Sequence, residues 1–110
     1  MSRPDRVLSL LGLAMKAGKV VSGETSTESA VKSLQAYLVV VAEDASENTR
    51  KHFTDMCNYR DIPIVTYSTR EELGRAIGKD YRSNLAVTDE GLSGSIIKAM
   101  ETLNKEEDKI

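Results

Sequence analysis

The run Leu38-Val39-Val40-Val41-Ala42 constrains the fold more than any other stretch of the chain. A strand with one face in water alternates apolar and polar residues. A run without alternation reads as a strand buried on both faces. Both faces of such a sheet need cover, and helices are what the flanking segments offer. Val7, Leu8, Leu11, Ala14 and Met15 follow helical spacing. With Pro4 suited to a first turn and Gly18 to a stop, helix 1 is expected over 4–17. Residues 19–22 read as a short strand. Thr25 and Glu28 stand at capping-box spacing and open a second helix through 34. Asp44 and Glu47 have a similar cap-like spacing ahead of a third helix ending near 58. Ser68 and Glu71 form a further box, before a fourth helix that stops at Gly78. Strands are expected over 64–67, after Pro63, and over 85–88. Asp89 then caps a last helix whose Leu92, Ile96, Met100 and Leu103 share a face. The charged tail over 104–110 is expected to fray. This alternation of helices and strands implies a single three-layer α/β/α sandwich spanning residues 1–110.

Composition narrows the function classes. A chain of 110 residues has room for one domain, and 40% apolar with 29% charged residues is neither a disordered tail nor a disulfide scaffold. Trp is absent and Phe occurs once, so the core must be aliphatic. The single cysteine, Cys57, excludes an internal disulfide and a thiolate-rich zinc site, and points to a reducing, cytoplasmic setting. No apolar run approaches the roughly 20 residues that span a bilayer. The stretch 7–14 follows a basic N-terminus as a signal peptide would. Lys16 and Lys19 come at once, however, and no convincing cleavage site appears, so it reads as a helix of the mature domain with no membrane partner. The net charge of −2 argues against a strongly electrostatic nucleic-acid binder. Residues 1–37, with five basic and three acidic side chains, are the only positive segment.

The residues offer no convincing catalytic set. Neither Gly-rich phosphate-loop pattern occurs. His52 and Cys57 lie about 140° apart around a helix, and Cys57 shares the apolar side with Phe53 and Met56. Cys57 is therefore expected to be buried and structural, and His52 partly exposed. Glu43-Asp44 reads as a helix-start feature rather than a metal site. No enzyme activity, cofactor, metal or small-molecule substrate is expected. The segment Gly18-Lys19-Val20-Val21-Ser22-Gly23-Glu24-Thr25-Ser26-Thr27 is more informative. It puts a glycine and a run of hydroxyls at the start of a helix, where free backbone N–H groups attract phosphate oxygens or base acceptors. An ordinary capped helix would read the same way.

Several stretches together resemble one family. They are Leu10-Leu11-Gly12-Leu13-Ala14 with Ala17-Gly18-Lys19-Val20-Val21-Ser22-Gly23, then Ala36 through Thr49 with its Ala-Glu-Asp-Ala-Ser turn, then Cys57-Asn58-Tyr59 with Ile62-Pro63, then Glu72-Leu73-Gly74-Arg75-Ala76-Ile77-Gly78-Lys79, and Ala86-Val87-Thr88-Asp89. In this order the chain resembles the kink-turn RNA-binding ribosomal proteins, archaeal L-seven-Ae and its relatives L-thirty-e and S-twelve-e, and above all their small bacterial members of the YlxQ type. The resemblance implies a mixed four-stranded sheet between helices, L-thirty-e-like, and a non-enzymatic RNA-binding function linked to translation.

In that family a G-x-N-E-x-x-K motif at the start of helix 2 reads the sheared G·A pairs of a kink-turn. Here Gly23 matches the glycine, while Thr25, Ser26 and Ser29 stand where Asn, Glu and Lys are expected. The resemblance further assigns Arg70 to RNA phosphate and the loop after Gly78 to a flipped-out nucleotide. In that loop Tyr81 could stack on a base, and Lys79 and Arg82 could bind phosphate, if it is not simply a solvated loop whose Tyr covers the sheet edge. The start of helix 2, the turn at 43–48, the start of helix 4 and the loop before strand 4 are expected to converge. Lys16, Lys19, Lys32, Arg70, Lys79 and Arg82 would then give a local positive field. The expected partner is a structured RNA, kink-turn or ribosomal, bound by a monomer. The alternative is a protein-interaction module that kept the fold and lost the kink-turn reader.

Overall fold

A computed structural model describes residues 5–108, with side chains described through Leu103. The apolar run at its centre forms β2 (Leu38–Val41), and every residue of it is buried. It pairs antiparallel with β4 (Asn84–Val87), which is equally buried, and parallel with β3 (Ile64–Thr66). β1 (Val20–Ser22) pairs antiparallel with β4 on the other side, giving a four-stranded mixed sheet in the order β1-β4-β2-β3. The expected mixed sheet between helices is what forms. Its edge strands have three residues each, so little unpaired backbone edge is exposed.

The helices are α1 (Arg6–Lys16), α2 (Glu24–Lys32), α3 (Glu47–Tyr59), α4 (Arg70–Ala76) and α5 (Glu90–Asp108). α2 and α3 pack together over the sheet, while α1 packs against both α4 and α5. Val7, Leu11 and Ala14 of α1, Leu73 of α4 and Ile96 of α5 enter one half of the core. Val31 of α2 with Phe53 and Cys57 of α3 enter the other. A fully buried Leu or Phe contributes about 1.5–3 kcal/mol over leaving it in water, so this aliphatic core holds the layers together.

Several helix boundaries differ from expectation, each for a local reason. The start expected at Pro4 lies outside the described residues, and Asp5 is the N-cap of α1, accepting from the Leu8 N–H at 2.9 Å. The box expected at Thr25 does not form. Gly23 is the N-cap of α2, at φ +89°, and Thr25 lies inside the helix. Ser46, not Asp44, caps α3, and Thr69, not Ser68, caps α4. Asp89 caps α5 as expected, accepting from the Leu92 N–H at 2.9 Å. The backbone of α5 is helical through Asp108.

Four helix ends close with the same pair of bonds. After α1, α2, α3 and α4 the chain turns left-handed at Gly18, Leu34, Asp61 and Gly78, and the next N–H reaches back to a carbonyl five residues earlier. Only the two glycines announce this in the sequence.

Candidate nucleic-acid interface

Four chain segments meet at the end of the sheet where β1, β2 and β3 finish and β4 begins. Backbone bonds tie them together. The Gly23 N–H donates to the Asn84 carbonyl at 3.4 Å, the Ala42 N–H to Ser83 at 2.9 Å, and the Glu43 N–H to Ser68 at 2.7 Å. Asp44 then caps the start of α4 from a distance. Its Oδ1 accepts from the Arg70 N–H at 2.8 Å, and its Oδ2 lies 3.5 Å from the Arg70 Nε. The backbone bond from Arg70 is the main cause that holds the Asp44 carboxyl below its ordinary range, and the Arg70 guanidinium adds to it. Asp44 thus belongs to this end of the molecule, clamping α4 instead of opening α3.

Arg82 is the cross-brace. Its Nε donates to the Ser22 Oγ at 3.0 Å, its Nη1 to the Tyr81 carbonyl at 2.8 Å, and its N–H to the Arg70 carbonyl at 3.0 Å. One residue joins the end of β1, the loop before β4 and the first turn of α4. Arg82 is expected from the resemblance as a phosphate ligand; what the structure gives it is this bracing role. Tyr81 beside it is 64% exposed. It does not cover the sheet edge, and its ring is available for stacking.

The loop is held against α4 by Gly74. A Cβ there would lie 1.3 Å from the Asp80 carbonyl oxygen, so only glycine permits this approach. The Lys79 N–H also donates to the Gly74 carbonyl at 2.8 Å.

The start of α2 completes the face. Among the described residues, it is the one helix start without a side-chain cap. Gly23 takes φ +89° and ψ 153°, a region essentially restricted to glycine, and the space where a Cβ would point is open. Thr25 and Ser26 in the first turn are exposed. The arrangement leaves the N–H groups of the first turn facing outward, with the positive end of the helix dipole behind them. Asn84, next to Gly23, is buried, and its Oδ1 has no hydrogen-bond partner among the described residues.

The structure does not gather every expected residue. Gly23, Thr25, Ser26, Arg70, Tyr81 and Arg82 come together, with exposed Lys79 on the same loop. Ser29 lies one turn along α2, on a shallow groove with Thr25, Glu28, Lys32 and Ser33. Lys32 is at the far end of the helix and pairs with Glu28 at 3.5 Å. Lys19 precedes β1 at the opposite end of the sheet, where its carbonyl accepts from the Thr88 N–H at 2.8 Å, and Lys16 closes α1 nearby. The expected field of six cations therefore reduces to Arg70, Lys79 and Arg82, with Asp44 offsetting part of the first. Sequence reasoning missed Ser22, Gly74 and Asn84. An Asn at the head of the apolar run Leu85-Ala86-Val87 is the one signal that could have pointed to the last.

His52 and Cys57 take no part. His52 is partly exposed and meets Glu28 at 3.2 Å, while burial pushes the Cys57 thiol up to about 11 and leaves it protonated at neutral pH.

The chain is 46% identical over 92 residues to the RNA-binding protein YlxQ of Bacillus subtilis (strain 168), covering 84% of this chain and 92% of that protein. To the RNA-binding protein YlxQ of Enterococcus faecium it is 36% identical over 89 residues, covering 81% and 85%. A solved structure of a Bacillus halodurans protein of unknown function superposes with a TM-score of 0.85 at 37% identity, covering 88% of this chain and 98% of that one. The 15.5 kD RNA-binding protein of Giardia lamblia, at 18% identity and a TM-score of 0.73, shares the fold over 90% of this chain and 85% of its own. Residues 5–97 match the family described as ribosomal protein L7Ae/L30e/S12e/Gadd45, and with relatives above 30% identity over most of their length the chain belongs to that family, which is one of ribosomal and RNA-binding proteins rather than of enzymes.

Proposed function

We propose that the chain binds a structured RNA, kink-turn or ribosomal, through the start of α2 and the loop over 79–83. The observation that carries this reading is the uncapped start of α2 at Gly23, with the exposed Tyr81 and the guanidinium of Arg82 held on the same end of the sheet. The names of the two YlxQ relatives support the RNA class. Outward N–H groups and open space over Gly23 suit a backbone or base edge brought close to the helix. Tyr81 suits one unstacked nucleotide, as single-stranded loops and bulges present.

The chemistry of the reader differs from the family motif. Thr25, Ser26 and Ser29 replace a bidentate amide, a carboxylate and an ammonium with hydroxyls, each able to donate one hydrogen bond and accept others but not to make the paired amide contact. A bidentate base contact contributes about 1–3 kcal/mol of discrimination. This chain therefore relies more on shape, backbone contacts and stacking than on base-edge readout. The test is a titration at moderate salt against a kink-turn RNA and a control whose G·A pairs are replaced by Watson–Crick pairs. Tighter binding to the first would establish that the hydroxyl-bearing helix start still reads kink-turns. Equal binding to both would leave RNA binding in place and remove the kink-turn preference. Binding to neither would overturn the proposal in favour of a protein-interaction module.

A further inference from the structure

A separate concavity lies between α1 and α4. It is a groove of about 910 Å³. The two helices run in the same direction, with Asp5 next to Tyr67 and Glu72 at one end and Lys16 near Gly78 at the other. They lie close at the centre, where a Cβ on Gly12 would come 3.0 Å from the Ala76 carbonyl oxygen. Leu13 stands on this surface 57% exposed. An exposed leucine beside a predominantly apolar groove is the kind of surface a partner covers.

The groove residues of α1 indicate which partner. They are Asp5, Leu8, Ser9, Gly12, Leu13 and Lys16, together with Met15. When α1 is laid antiparallel against a second α1 with the two-fold axis at mid-helix, Asp5 meets Lys16 of the second copy. Leu8 then meets Leu13, and Ser9 meets Gly12. Acid faces base, apolar faces apolar and small faces small, with each pair occurring twice, as an isologous interface requires. Glu72 adds to the acidic end. Asp5 already accepts from the Tyr67 hydroxyl at 2.7 Å and from the Leu8 N–H, so its carboxylate is fixed in place as a counter-charge before any partner arrives. Antiparallel helices also oppose their dipoles favourably.

We infer that the chain forms a two-fold dimer through α1, with Leu13 of each copy seated in the α1–α4 groove of the other. This departs from the monomer expected at the outset. It does not depend on the RNA reading, because Leu13 and Lys16 belong to α1, which supplies no residue to the face proposed for RNA.

Sedimentation equilibrium of the full chain without RNA, from low to high micromolar concentration, tests it. The expected result is a concentration-dependent dimer that Leu13→Glu weakens by at least about a hundredfold while circular dichroism stays unchanged. Lys16→Glu and Glu72→Lys, each alone, should weaken association by about tenfold, and the double reversal should recover much of the loss. A wild-type chain that stays monomeric across the range would overturn the inference and leave the groove to a different protein. So would a dimer indifferent to Leu13→Glu and to the charge reversals.

Discussion

Leu34 occupies a backbone conformation that its side chain does not favour. It follows α2 at φ 61°, where the closing turn needs a left-handed residue, and it is 67% exposed. Gly18 and Gly78 fill the matching positions after α1 and α4 without that cost, and Asp61 after α3 tolerates it better than a leucine does. Leu34→Gly should therefore raise the unfolding free energy by about 0.5–1 kcal/mol, since little packing is lost. A urea titration would show a higher midpoint at an unchanged slope. A lower midpoint would mean that the third of Leu34 still in contact with the protein outweighs the strain. Other single residues behave as their types suggest. Burial raises the Tyr67 hydroxyl well above its ordinary range, and the bond to Asp5 adds to this, so Tyr67 remains a donor wherever the fold survives.

At the scale of elements, Gly74 couples helix to site. Adding one methyl at Gly74→Ala forces the Asp80 carbonyl away from α4, and overpacking of this kind costs about 1–3 kcal/mol. The displaced loop carries Tyr81 and Arg82, so RNA affinity should fall more than the loss of stability explains at temperatures where the mutant remains folded. Denaturation and RNA titration of the same preparation would separate the two effects. Unchanged affinity would show that the loop does not touch RNA. The sequence showed the elements themselves clearly, because β2 and the apolar stripes of α1 and α5 repeat over many residues. It showed their ends less clearly. Ser68…Glu71 and Thr69…Glu72 satisfy the same capping pattern one residue apart, and what separates them is the left-handed φ of 63° at Ser68. Asp44 has cap-like spacing to Glu47, yet its oxygens bond to a residue 26 positions away. Gly23 and Tyr81 were legible at the site because their chemistry is local. The bracing by Ser22, Gly74 and Asn84 was not, because it exists only once distant segments meet.

The whole molecule carries a net charge of −2, so the face proposed for RNA is a small cationic area on a weakly acidic body. Arg70, Lys79 and Arg82 are the cations held there, and Asp44 lies beside the first. With three cations at most, the logarithm of affinity should fall with the logarithm of salt at a slope of about −2 to −3, far shallower than that of a strongly basic binder. Two substitutions then divide the interface by type of contact. Arg70→Ala should weaken every RNA about equally and flatten the slope by about 1, as loss of a phosphate contact does. Tyr81→Ala should lower affinity by about 1–3 kcal/mol with the slope unchanged, since stacking releases no counterions. Titrations of both variants at several salt concentrations would check the pair. A flattened slope for Tyr81→Ala, or none for Arg70→Ala, would mean that the roles are exchanged or that RNA lies elsewhere on the surface. Leu13→Glu, on α1, should change neither slope nor affinity when RNA is titrated against dilute protein, because that side chain stands on the helix layer away from α2.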